Sequence, residues 1–226
     1  MLRSTLIAAT LLVLAGTAQA QSSAQASPQA APPAKPAPSW RDFPGVSNTS
    51  YVDAAGQKAL QLSMDIPAPP RAVFEAFTTE AGFKSWAVAV ARIDLRTGGE
   101  IEASYDPKAA IGDPNNIRNQ IVTFIPDRLL VLRNVQAPKG FPGESEFRKT
   151  VTVIEFEPVA AGTRVRLTNT GYGDGPEARA VYGHFEWGNA YTLAELKKRF
   201  EKGAIDRTAG EGALRNAEAD KAVTGK

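Results

Sequence analysis

His184 is the only histidine in this chain of 226 residues, and there is no cysteine. A lone imidazole can move a proton or hold a polar group. It cannot build a histidine-rich metal centre, and no carboxylates flank it at zinc spacing. Without a thiol there is no cysteine nucleophile, no disulfide and no thiolate metal site. The aspartates and glutamates are scattered and suggest no general-acid and general-base pair. Gly171-Tyr172-Gly173-Asp174-Gly175 resembles a nucleotide loop at first sight. The third glycine of that fingerprint would fall on Pro176, and no βαβ unit follows, so the stretch reads as a turn opening a helix. We therefore assign no catalytic residue, no metal ligand and no cofactor from the sequence.

The residues that remain suit binding rather than reaction. Phe83, Trp86, Tyr105 and Phe185 are aromatics that either fill a core or line a pocket. Asn119 and Asn169, like Asn134, interrupt apolar strands, and an inward amide needs a partner that a ligand could supply. Gly183 and Gly188 interrupt a helix at about 1 kcal/mol each, either leaving room for a ligand or allowing close helix–sheet approach. His184 either points into the same space or sits half exposed at its rim. The candidate site is thus Phe83, Trp86, Tyr105, Asn119, Asn169, His184, Phe185 and Gly188.

The element that must hold three of this set, His184, Phe185 and Gly188, runs from Asp174 to Lys202. Asp174 is placed to cap it, with Pro176 in the first turn and Glu177 three residues after the cap. Lys197, Lys198, Arg199 and Lys202 favour its C-terminal end, and Gly203 stops it. The helix would be roughly 40 Å long. Val181, Phe185, Gly188, Thr192, Leu196 and Phe200 form one face that needs a surface to lie on.

The segments before it supply that surface. Residues 59–66 alternate as a half-buried strand. Two short helices follow, 71–78 and one ending near Trp86. Strands are predicted at 88–95, 100–105, 117–125, 128–136, 148–157 and 163–170, mostly joined by hairpin-length turns and so antiparallel. Gly/Pro-rich loops cover 106–116 and 137–146. This is an α+β fold: one antiparallel sheet, curved around the long C-terminal helix, with two short helices after the first strand.

The ends read differently. Arg3, the apolar run Leu6–Leu14 and Ala18-Gln19-Ala20 form a signal peptide over residues 1–20, cleaved after Ala20. That predicts a periplasmic or secreted protein with no membrane span after cleavage. Residues 21–57 read as a disordered Ala/Pro-rich tether and lead-in, in which Trp40 packs on the domain edge, and residues 203–226 as a disordered tail. Net charge is +2 with interspersed signs, giving no electrostatic footprint for nucleic acid.

Residues 58–202 resemble the helix-grip (START/Bet v 1-like) domains of the START-like, or SRPBCC, superfamily. The branch they resemble is the one named after the activator of the Hsp90 ATPase (AHSA1-like). The resemblance rests on the strand Leu60–Ile66, on Pro69-Pro70-Arg71-Ala72-Val73-Phe74-Glu75-Ala76-Phe77, and on Phe83 with Trp86. It also rests on Asp94-Leu95-Arg96-Thr97-Gly98-Gly99-Glu100 and on the Trp187, Leu193 and Leu196 helix. It implies a deep cavity between sheet and terminal helix, used by members for lipids, polyketides or other apolar molecules, and no shared catalytic motif. The expected partner is a small apolar or amphipathic molecule. The alternatives are an enzyme of polyketide cyclase/dehydratase type, with His184 or Tyr105 as acid or base, and a protein-interaction module. An export signal argues against a cytosolic chaperone as the partner of such a module.

Overall fold

The computed structural model describes residues 38–138 and 140–208; the predicted signal peptide, most of the predicted tether and most of the predicted tail lie outside them. The described chain is α+β. Strand β1 (Ser47–Asn48) and strand β2 (Tyr51–Val52) come first, followed by β3 (Lys58–Ile66). Helices α1 (Pro70–Thr78) and α2 (Glu80–Lys84) intervene before β4 (Val90–Ile93), β5 (Glu100–Ser104), β6 (Ile117–Ile125) and β7 (Leu129–Gln136). A one-turn helix α3 (Glu144–Phe147), β8 (Val151–Val159), β9 (Gly162–Thr170) and α4 (Pro176–Lys202) complete it. The strands make one antiparallel sheet in the order β1-β3-β9-β8-β7-β6-β5-β4, with β2 also paired to β3.

Along each central strand one end of the inner face is apolar and the other carries amides. Leu130, Ile154 and Phe156 lie towards one end, Asn134, Thr152 and Asn169 towards the other. The helices divide the space accordingly. Phe74 and Phe77 of α1 meet Phe156 edge-on at 5.5 and 5.6 Å between ring centres, and Trp86 meets Phe77 at 5.1 Å. Such edge-to-face contacts fill the apolar end densely. The C-terminal half of α4 sits over this plug, where Leu193 and Leu196 are fully buried and Arg199 Nε donates to Ser85 Oγ at 2.9 Å. The N-terminal half faces the amide end.

Three features of α4 differ from the sequence reading. Its cap residue is Gly175, at φ +126°, not Asp174, which is exposed and lies 3.9 Å from Lys58 Nζ. Glu177 meets Ser145 Oγ at 3.4 Å instead of closing a capping box. The buried stripe runs through Ala178, Val181, Asn189, Ala190, Leu193 and Leu196, about one residue round from the predicted face. Gly188 and Thr192 of the predicted face line a cavity instead.

Both flanks also depart from expected disorder. In the lead-in, Trp40–Asp42 forms a single 3-10 turn capped by Ser39, and Phe43 packs on Trp187 and Tyr191 at 5.9 and 6.2 Å. Residues 47–52 form the sheet edge, with Thr49 N–H donating to Gln61 O at 2.9 Å. An edge buries little, so its polar residues carry no periodic signal. Beyond Gly203, the described residues dock on the body. Ile205 N–H donates to Ser85 O at 2.8 Å, and Arg207 donates to Trp86 O at 2.7 Å, to Tyr191 Oη at 3.1 Å and to Glu195. Arg207 is 8% exposed and Glu195 7%. Removing one side of a buried ion pair strands the other charge. Arg207→Ala is expected to lower unfolding free energy by about 2–3 kcal/mol, with Lys198, 3.6 Å from Glu195, offsetting part of the loss. Urea denaturation monitored by circular dichroism checks this.

Candidate functional site

The space at the amide end is a cavity of about 470 Å³ between β5–β8 and α4. Its floor is Ile117, Asn119, Leu132, Asn134 and Thr152 from the sheet. Its roof is the stretch of about two and a half turns of α4 from His184 to Thr192. The mouth is bounded by Tyr105, Asp106 and Asn115 on one side and by Pro138 and Phe141 on the other.

The 137–147 loop reaches α4 because its two aromatics fold inward. Phe141 meets Phe147 at 5.0 Å and the His184 ring at 4.5 Å, both edge-on, and Phe147 stacks on Phe185 at 5.8 Å. Gly143 permits the approach: it sits at φ +71°, and a Cβ there would lie 2.9 Å from Val181 Cγ2. On the other side, buried Glu102 reaches from β5 to hold the 106–116 loop. Its carboxylate accepts from Asn116 Nδ2 at 2.7 Å and from the Gly112 N–H at 2.5 Å. Further along α4, Trp187 and Tyr191 stack at 5.2 Å and 8°, braced by Phe43 and Arg207.

Five of the eight sequence candidates surround this cavity: Tyr105, Asn119, His184, Phe185 and Gly188. His184 is half-buried and lines the void, so its inward and rim placements coincide. The other three lie elsewhere. Phe83 and Trp86 belong to the apolar plug, where Trp86 is 1% exposed and its indole N–H donates to Ala76 O at 2.9 Å. Asn169 is fully buried just behind the wall. It accepts from Asn189 Nδ2 at 2.5 Å and donates to Thr152 Oγ1 at 2.7 Å, so it fixes two lining residues without lining the cavity. Gly183 lines a separate surface groove with Arg179 and Tyr182.

The sequence reading missed Phe141, Phe147 and Asn189. Two phenylalanines in a Gly/Pro loop were the available sign that this loop returns to the core. Asn189 carried no sign, since a polar residue in a helix is ordinarily exposed.

The amides are unevenly satisfied. Asn134 Nδ2 donates to Thr150 Oγ1 at 2.6 Å, and Asn189 Nδ2 donates to Asn169. Asn119, opposite Asn134 in the β6–β7 register, has a sealed Oδ1 with no hydrogen-bond partner among the described residues. No lysine or arginine among the described residues lines the cavity. Among the described residues no group of His, Asp and Glu could hold a metal, and no helix is long and apolar enough to cross a membrane.

Tyr172 lies just beyond the cavity, packed on Tyr182 at 5.1 Å and Phe185 at 6.4 Å, with its hydroxyl buried and unpartnered. Burial pushes that hydroxyl well above the usual tyrosine range, with the nearby Tyr182 adding to the effect. The folded state therefore keeps the proton while the unfolded chain releases it near pH 10. Stability from this group is full below pH 10 and declines as pH rises above it. Tyr172→Phe removes an unpaired polar group, so it is expected to stabilise by about 1 kcal/mol at pH 7 and to flatten the alkaline decline. Thermal unfolding between pH 7 and 11 checks both.

Comparison with known proteins follows this geometry. The family described as Activator of Hsp90 ATPase homolog 1-like protein matches residues 67–201, from the start of α1 through nearly all of α4. Among solved structures, a Mesorhizobium loti protein is similar at 17% identity and TM-score 0.52, over 65% of this chain and 99% of that one. The Aha1 dimer from Colwellia psychrerythraea is similar at 21% identity and TM-score 0.50, over 64% of this chain and 97% of that one. A Staphylococcus saprophyticus protein gives 19% and 0.50, over 65% and 94%. At these identities the structures speak to the fold alone. No protein of curated function matches the sequence. The matched segment contains both helices of the plug, the strands of the cavity floor and the helix of its roof, and this chain belongs to the Activator of Hsp90 ATPase homolog 1-like family.

Proposed function

We propose that this protein binds a small apolar or amphipathic molecule between the sheet and α4. The observation that carries the reading is the cavity itself. About 470 Å³ stays open in a domain whose other half is packed with interlocking aromatics. Protein interiors ordinarily close such voids, because unfilled lining forfeits its dispersion contacts. The volume, the mainly aromatic and aliphatic wall and the few amides at one pole match the usual make-up of a small-molecule pocket. A ligand there would restore the missing contacts.

Native mass spectrometry of protein purified from its producing cells tests the reading. A bound mass that disappears in Gly188→Phe supports it. Bare protein that also ignores a panel of neutral aromatic probes contradicts it. If the retained molecule is chemically altered by the wild type and not by His184→Ala, the function is catalysis in the same cavity. Residues 1–20 are read as an export signal, so the ligand would be met outside the cytoplasm. An intact mass beginning at Gln21 supports this, and one beginning at Met1 contradicts it.

A further inference from the structure

Resting on the cavity reading, the wall also says which polar group the ligand carries. In Asn134 and Asn189 the amide nitrogen is engaged inside the protein, by Thr150 and by Asn169. Their amide oxygens take no hydrogen bond from the described residues and are not among the sealed atoms, although both residues are almost wholly buried and line the cavity. They are therefore acceptors presented to the void. Asn119, in the strand beside Asn134, is not a third such acceptor, because its oxygen is sealed from the void. Asp106 at the mouth contributes a carboxylate, and no described lysine or arginine offsets these oxygens. The wall also holds the Trp187 indole N–H, a donor, together with the His184 imidazole and the hydroxyls of Ser104, Tyr105, Thr152 and Tyr191, which donate or accept according to their partner. Tyr191 Oη already accepts from Arg207.

We infer that the ligand is a hydrogen-bond donor without negative charge: an apolar body bearing an alcohol, phenol or N–H group, whose hydrogen is received at Asn134 and Asn189. An anion such as a carboxylate would lose its hydration and find acceptors where it needs donors. A donor finds buried oxygens left without partners, and a site built this way rejects the analogue that lacks the hydrogen, because its own polar groups then stay unpaired.

The test uses three probes of nearly one shape: 2-naphthol, 2-methoxynaphthalene and 2-naphthoate, titrated into the full chain and followed by calorimetry. The expected order is naphthol tightest, the methyl ether about tenfold weaker, and naphthoate weakest or without measurable binding. In Asn134→Leu the naphthol-to-ether ratio is expected to fall towards one while the ether binds at least as well as to wild type, which a merely misfolded variant would not do. Equal binding of naphthol and its ether by the wild type, or tight binding of naphthoate, overturns the donor inference and leaves the cavity reading standing. Failure of naphthol and ether alike, in protein of normal thermal stability, overturns both.

Discussion

Replacing Gly188 by phenylalanine is expected to abolish small-molecule binding while leaving the protein as stable as before, or more so. A Cβ added at Gly188 meets nothing within 4 Å, and the residue faces the cavity from the middle of α4. The new ring would occupy the space the ligand needs, inside a volume of about 470 Å³. Loss of 3 kcal/mol or more of binding, at least about a hundredfold in Kd, follows if ligand and ring compete for one place. The same change removes a glycine from a helix interior, worth up to about 1 kcal/mol, so Tm is expected to rise by about 2–4 °C. Opposite signs for binding and stability separate a filled cavity from a damaged fold. Calorimetric titration beside thermal unfolding reads both, and retained affinity in a stable variant would show that the ligand binds elsewhere.

Trp86→Ala is expected to do the reverse: a loss of about 4 kcal/mol in unfolding free energy, with affinity per folded molecule unchanged. Truncating a buried tryptophan forfeits its transfer free energy and leaves a void that neighbours only partly fill. Here the indole is 1% exposed, meets Phe77 and Phe83 edge-on at 5.1 and 5.7 Å, and joins α2 to α1 through Ala76 O. Its backbone oxygen also receives Arg207, so the tail's anchorage depends on the same position. None of these ring contacts involves a residue that lines the cavity, and the backbone oxygen that receives Arg207 survives the truncation. A denaturation midpoint that falls while the probe's Kd holds would separate plug from pocket. A large change in Kd with little change in midpoint would place Trp86 in the binding site after all.

The contrast between these two positions marks what the sequence makes legible. Alternation in β3 and β9 and the punctuation between strands disclose the sheet, because period-two burial is written directly in residue order. The long helix is legible for the same reason at period 3.6. Which aromatics line a cavity and which fill a core is not written that way. Trp86 and Phe185 have the same apolar character, and only their positions along the groove differ, the first under α1 and α2, the second under the open half of α4. Asn119 and Asn169 show the same limit. Both interrupt apolar strands and face inward, but Asn169 is satisfied by Thr152 and Asn189 while the Asn119 oxygen has no partner. Partners for a strand amide come from neighbouring strands and from α4, far away in sequence. Arg207 was illegible because a single anchoring residue in a polar tail leaves no periodic pattern.

The two flanks reinforce one wall of the cavity. Phe43 and Arg207 lie outside the segment matched by the family, and both brace the stacked pair Trp187 and Tyr191. Arg207→Ala should therefore weaken binding as well as stability, by loosening a wall rather than by removing a contact.

The account depends most on a ligand entering beneath α4, and amide chemical-shift mapping by NMR during a 2-naphthol titration tests this most directly. The predicted result is a set of saturable shifts centred on Asn119, Asn134, Phe185 and Gly188, with little change around Trp86 and Phe77. Shifts confined to the outer face of the sheet, or none at concentrations that saturate comparable pockets, would contradict it.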